Sequence, residues 1–166
     1  KLMGALVTVS LGSNIRPEQN VRKAVAELKR LFIDITISPV YQTEAVGFDG
    51  EDFLNLVVSF NSDMTASQIV IELKGIEDRI GRDRTQPRFS PRLIDLDLLT
   101  FDDHVINQPG LQIPRAEILQ NAFVLKPLSD IQGEALHPEL QQSYQQLWQE
   151  MEKTADRIEL YYMQFD

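Results

Sequence analysis

Apolar stretches follow one another along this chain in the order β-α-β-β-α-β, with a helical tail behind them. Residues 7–11 read as a short strand stopped by Gly12-Ser13-Asn14. Pro17 then opens a helical pattern in which Val21, Ala24, Val25, Leu28 and Leu31 recur at helical spacing. Residues 33–41 are β-branched, with Pro39 marking an edge or a break. A polar, glycine-bearing loop over 43–52 leads to a strand over 53–60. Thr65 and Gln68 form a capping box ahead of the stripe Ile69, Leu73, Ile76 and Ile80, and Gly81 closes that helix. Residues 82–90 are a charged loop, and the strand carrying Asp95 and Asp97 follows. Residues 102–121 read as loop, with Pro109-Gly110 a strong turn signal, and 123–131 as a mixed apolar segment. Leu140, Tyr144, Leu147 and Met151 mark a last helix, and 158–162 either extends it or adds a strand. This order predicts an α+β fold, a ferredoxin-like sandwich: an antiparallel sheet flanked by helices, two of them on one face, with a C-terminal helical extension. A length of 166 residues, 43% of them hydrophobic, fits one domain over 1–166 with a sizeable core.

Within that frame the run Asp95-Leu96-Asp97-Leu98-Leu99 stands out. Side chains alternate faces along a strand, so Asp95 and Asp97 share one face and Leu96 and Leu98 the other. Aspartate is depleted in strands, and neighbouring carboxylates repel. A cation is therefore expected opposite them. Hard divalent ions such as Mg²⁺ take one or two carboxylates together with substrate phosphates. The alternative is a solvated strand face paired with Arg92, and spacing alone leaves both open.

The segment just upstream bears on that choice. Arg79, Arg82, Arg84, Arg88 and Arg92 lie close together in a chain whose net charge is −9. Guanidinium groups bind phosphate bidentately and keep their charge. An arginine-rich loop running into an Asp-x-Asp strand suits a site for Mg²⁺ and a triphosphate, the arrangement phosphoryl transfer requires. There is no Gly-x-x-x-x-Gly-Lys-Ser/Thr loop and no legible Ser-His-Asp arrangement. His104 and His137 sit in turn-like stretches and read as solvated loop residues. The acidic balance argues against nucleic acid as a partner, and no run reaches the length of a membrane span. With no cysteine, disulfides and thiolate metal sites are excluded, which suits a cytoplasmic setting. Met3 reads as a natural start, with Lys1-Leu2 an addition.

Leu11-Gly12-Ser13-Asn14, Tyr41-x-Thr43, Gly47, Phe53-Leu54-Asn55, Glu77, Gly81-Arg82-x-Arg84, Pro91-Arg92-x-Ile94-Asp95-Leu96-Asp97-Leu98-Leu99-x-Phe101 and Phe123-Val124-Leu125-x-Pro127-Leu128 occur in one order. In these blocks, across most of residues 6–131, the chain resembles the hydroxymethyldihydropterin pyrophosphokinases. The resemblance implies transfer of pyrophosphate from ATP to 6-hydroxymethyl-7,8-dihydropterin, giving AMP, in folate biosynthesis. It implies small-molecule substrates, ATP and the pterin, and two Mg²⁺ ions on Asp95 and Asp97. Arg82 and Arg92 match arginines that bind the triphosphate, Arg84 one on a catalytic loop, and Glu77 a helix residue near the nucleotide. Arg82, Arg84, Arg92 and Asp97 are thus the implied catalytic set. Phe53 and Phe123 would sandwich the pterin and Asn55 would read its edge, with Gly12, Thr43 and Val46 lining the pocket. On the residues alone Phe53 and Phe123 read as ordinary core, whereas a buried Asn55 demands partners.

The chain departs from the family pattern in six places. Ser90 precedes Pro91-Arg92 where glycine is common, Phe89 replaces a tryptophan and Glu44 a proline. Arg115 follows Pro114 where histidine is typical, Asn121 replaces an arginine, and Lys74 a glutamine. Lys74 and Arg115 are candidate phosphate contacts of this chain's own. The Arg115 and Asn121 departures support a second reading, a degenerate paralogue that binds pterin or nucleotide without efficient catalysis. A nucleic-acid-binding module on the same fold and a metal phosphohydrolase using Asp95 and Asp97 are the further alternatives.

Overall fold

A computed structural model of the protein describes residues 4–44, 51–81 and 93–166. Its centre is an antiparallel sheet. Strand β1 (Ala5–Ser13) lies between β4 (Phe53–Ser62) and β5 (Asp95–Phe101). On the other side of β4 lie β2 (Ile33–Ile37) and β3 (Val40–Thr43), and β8 (Glu159–Tyr161) is added outside β3. The expected single segment over 33–41 is two strands, because Pro39 has no N–H for the ladder. Ser38 bridges the break, exchanging backbone and hydroxyl hydrogen bonds with Val57 at 2.9 Å each.

Helices α1 (Pro17–Leu31) and α2 (Ala66–Ile80) cover one face of the sheet. Val21, Val25 and Leu28 of α1 and Ile69, Leu73 and Ile76 of α2 bury there against Val7, Val9, Leu56, Val58 and Leu96. The capping box forms as expected: Gln68 N–H donates to Thr65 Oγ1 at 3.2 Å and Thr65 N–H to Gln68 Oε1 at 2.8 Å. Gly81 ends α2 at φ 105°, in the left-handed region that glycine enters without strain.

The opposite face is covered as well, by the helices that follow β5, so the sheet is flanked by helices as expected. The mixed apolar segment is helix α3 (Ala122–Gln132), and with α4 (Tyr144–Glu152) it buries Val57 and Leu99 beneath Val124, Leu125, Leu128 and Tyr144. Leu54, Leu56, Val57, Val58 and Phe60 are all buried, so β4 does not alternate: an apolar residue on each face of a central strand needs cover on both sides. Pro127 inside α3 masked its helical character in the sequence. The last helix starts at the Ser143 capping box, after Leu140, which is exposed. Residues 102–121 are more ordered than a loop. They hold the hairpin β6 (Ile106–Gln108) and β7 (Leu111–Ile113), turned at Pro109-Gly110, and a 3₁₀ turn at Ala116–Leu119.

His137 corrects a second expectation. It is 2% exposed, and its Nδ1 accepts hydrogen bonds from the backbone N–H groups of Glu139 and Leu140, each at 3.2 Å. Burial pushes its pKa below the ordinary 6.5. The unfolded chain therefore binds the extra proton more readily, and stability present above the ordinary pKa is lost as pH falls below it. Thermal melts of the parent should weaken from about pH 6.5 downward by up to ~1.4 kcal/mol per pH unit. His137→Asn should start less stable and show a flatter slope between pH 7 and 5. Equal slopes for the two proteins would contradict this role.

Candidate active site

Strand register brings the sequence-singled residues into two adjacent rows. Gly12 pairs with Asp95 on one side and Asn55 on the other, and Asn55 pairs in turn with Tyr41. One step along, Ser10 pairs with Asp97 and with Val57. Residues two apart share a face, so Asp95, Asp97, Gly12 and Asn55 all project towards the α3 side. The shared face is set by packing: Leu96 and Leu98 are committed to the α1/α2 core, which turns the two aspartates away from it.

Gly12 leaves a gap in the middle of the first row. A Cβ built there would lie 3.3 Å from Asn55 Oδ1. Asn55 itself is 5% exposed, and its Nδ2 donates to Thr43 Oγ1 at 3.0 Å and to the Tyr41 carbonyl at 3.4 Å. These bonds fix the orientation of the amide. Phe53 lies two residues before Asn55 on the same face and pairs with Thr43. Phe123 stands in the first turn of α3, half-buried against the second core. On this face the described groups are therefore Gly12, the Asn55 amide and the Thr43 hydroxyl, with Phe123 on the covering helix. That combination suits a flat, polar heterocycle.

Along the outer edge of β5 lies a cleft of about 140 Å³. Its walls are α2, β5 and the β6–β7 hairpin, and Lys74, Glu77, Asp97 and Arg115 are its charged lining. Arg115 is set by its backbone N–H, which donates to the Leu99 carbonyl at 2.9 Å. Its guanidinium then reaches Glu117 at 2.8 Å and Asp97 at 3.5 Å. Glu117 was not singled out in the sequence, and only the two-residue spacing to Arg115 hinted at it. Glu77 is 3% exposed, and its Oε2 accepts the Leu96 N–H at 2.8 Å. The buried carboxylate thus braces the backbone between the two aspartates, a task its position on a helix did not disclose. Asn121 is the N-cap residue of α3. Arg82, Arg84, Arg92 and Val46 lie outside the described residues.

Among the described residues, no group of three or more His, Cys, Asp and Glu side chains is arranged to hold a metal. A pair of hard oxygen donors beside a cleft lined by Lys74 and Arg115 fits Mg²⁺ shared with phosphate oxygens.

The comparisons with known proteins bear on the family. The family model for 7,8-dihydro-6-hydroxymethylpterin-pyrophosphokinase matches residues 8–133. The 2-amino-4-hydroxy-6-hydroxymethyldihydropteridine pyrophosphokinase of Aquifex aeolicus is 30% identical over 81% of this chain and 84% of its own. That of Bacillus subtilis is 31% identical over 89% of this chain and 93% of its own. The crystal structure of wild-type Plasmodium falciparum HPPK-DHPS superposes with a TM-score of 0.71 at 14% identity, covering 90% of this chain, and it supports the fold alone. This chain spans 46% of that longer one.

Proposed function

This chain belongs to the 7,8-dihydro-6-hydroxymethylpterin-pyrophosphokinase family, and from that premise we propose how its residues divide the work. The enzyme transfers pyrophosphate from its co-substrate ATP to 6-hydroxymethyl-7,8-dihydropterin, giving AMP and the pterin diphosphate in folate biosynthesis. Our reading assigns the pterin to the slot of Gly12, Thr43, Phe53, Asn55 and Phe123, with Val46 beside it. The triphosphate belongs to the cleft of Lys74, Glu77 and Arg115, with Arg82, Arg84 and Arg92 from the neighbouring arginine-rich segment. Asp95 and Asp97 hold Mg²⁺ between the two, and two ions belong to this reading. A single domain over 1–166 and a cytoplasmic setting are part of it as well, the latter because the reaction draws on ATP.

One observation carries the assignment. Asp95, Gly12 and Asn55 are consecutive across three strands, so the metal-binding carboxylates adjoin the floor of the ring slot. Neighbouring Cα atoms in such a row are about 5 Å apart, close enough for one ligand's hydroxymethyl oxygen to meet the other's phosphates. Asn55 and the aromatics orient the ring; Lys74 and the arginines neutralise and align the triphosphate. Mg²⁺ bound there supplies Lewis-acid polarisation of the phosphate oxygens. Held by Glu117, Arg115 adds a fixed positive charge on the cleft side of Asp97.

The test is AMP release from ATP, with and without the pterin. AMP should form only with both the pterin and Mg²⁺ present, and EDTA should stop it. Phosphate release without pterin would instead mark a phosphohydrolase. The degenerate-paralogue reading draws on the Arg115–Asp97 contact and on Asn121 standing in an arginine's place. Pterin binding without AMP formation would favour it.

A further inference from the structure

Tyr41 belongs to the block Tyr41-x-Thr43, yet the reaction as derived gives its side chain no task. The residue is 5% exposed. Its hydroxyl donates a hydrogen bond to Asp130 Oδ2 on the last turn of α3, while its own carbonyl accepts from Asn55 Nδ2. Asp130 is held from its other oxygen by Lys126 at 2.8 Å. One residue of β3 therefore touches both the amide at the edge of the ring slot and the helix that carries Phe123.

Helix geometry makes that link specific. Phe123 and Asp130 are seven residues apart, two turns of α-helix, and so lie on the same side of α3. That side flanks the stripe of Val124, Leu125 and Leu128 packed on the sheet, and Asp130 on it meets Tyr41, the paired neighbour of Asn55. We propose that Tyr41 is a positioning residue for the pterin: through Asp130 its hydroxyl fixes α3 against β3 and so sets the height of Phe123 above Asn55. The inference rests on the pterin slot assigned above and deepens it.

The energetics favour a bond that holds position. Its acceptor is an ionised carboxylate, which makes it stronger than a neutral pair. Burial, with the Asp130 bond adding to it, raises the Tyr41 pKa, so the hydroxyl keeps its proton and remains the donor. Val124, Leu125 and Leu128 pack against the sheet through non-directional apolar contact. The hydroxyl supplies the directional contact.

Steady-state kinetics on the full chain separates positioning from bulk stability. Tyr41→Phe and Asp130→Leu should each raise the KM for 6-hydroxymethyl-7,8-dihydropterin about tenfold and leave the ATP KM within about twofold. Asp130→Asn keeps an acceptor for the hydroxyl and should return the pterin KM to within about threefold of the parent. A folded Tyr41→Phe protein with unchanged pterin KM, or with both KM values raised equally, overturns the proposal. If Tyr41→Phe fails to fold, the Asp130→Leu and Asp130→Asn pair makes the same comparison. Asn55→Ala is the reference. A pterin KM raised in Asn55→Ala and unmoved in Tyr41→Phe removes only the positioning role. A pterin KM unmoved in Asn55→Ala removes the slot assignment and the proposal together.

Discussion

Asp97→Ala should abolish pyrophosphoryl transfer and leave a folded protein. On the proposed reading Asp97 is one of the two carboxylates assigned to Mg²⁺ between the triphosphate and the attacking hydroxymethyl oxygen. Its removal would leave Asp95 alone to hold the cation, and the charge that develops on the phosphates would lose its fixed counterpart. Metal-assisted charge stabilisation is worth several kcal/mol, so about 4 kcal/mol, roughly a thousandfold in kcat, is the expected loss. The fold should tolerate the change. The Asp97 side chain is 39% exposed, and removing it relieves repulsion with Asp95. Arg115 keeps its partner Glu117 at 2.8 Å and its backbone anchor at Leu99. Circular dichroism and the melting temperature should match the parent, and pterin binding measured without Mg²⁺ should stay within about threefold. Normal turnover in that folded variant would show that the aspartate carries no metal needed for the reaction.

Much of this site was legible in the sequence because it obeys short-range rules. Alternation along a strand put Asp95 and Asp97 on one face, and the register confirms the shared face. The Thr65/Gln68 capping box, the α2 stripe and the Pro109-Gly110 turn follow from local chemistry, and each is found in the structure. What stayed hidden depends on contacts between distant segments. Glu77 as a brace for Leu96 N–H and Tyr41 as a tie to Asp130 join residues far apart in the chain. The second helical layer was obscured by Pro127, whose cost to a helix is offset here by burial against Val57 and Leu99. His137 looked like a solvated loop residue because a turn of polar neighbours gives no sign that its ring will be buried as an acceptor for backbone N–H groups.

Gly12→Val should block the pterin and spare the nucleotide. The argument is steric. A Cβ at Gly12 already stands 3.3 Å from Asn55 Oδ1, tighter than ordinary van der Waals contact. Two further methyl groups would occupy the gap between Asn55 and Asp95, where the ring is assigned. Overfilling a packed site costs about 1–3 kcal/mol. The upper part of that range applies to a rigid ring that cannot reshape, so the pterin KM should rise roughly a hundredfold. Backbone strain offers no competing explanation, because Gly12 is an ordinary strand residue paired on both sides, and β-branched valine suits a strand better than glycine does. The variant should therefore fold, its melting temperature lowered only by what the contact with Asn55 costs. The cleft assigned to ATP lies along the outer edge of β5 and does not include Gly12 among its walls, so ATP affinity should hold within about twofold. Gly12→Ala should fall between parent and valine, since one methyl crowds Asn55 without filling the gap. A folded Gly12→Val enzyme with the parent's pterin KM would mean that the ring does not lie over this row, and the slot would have to be sought on another part of the sheet.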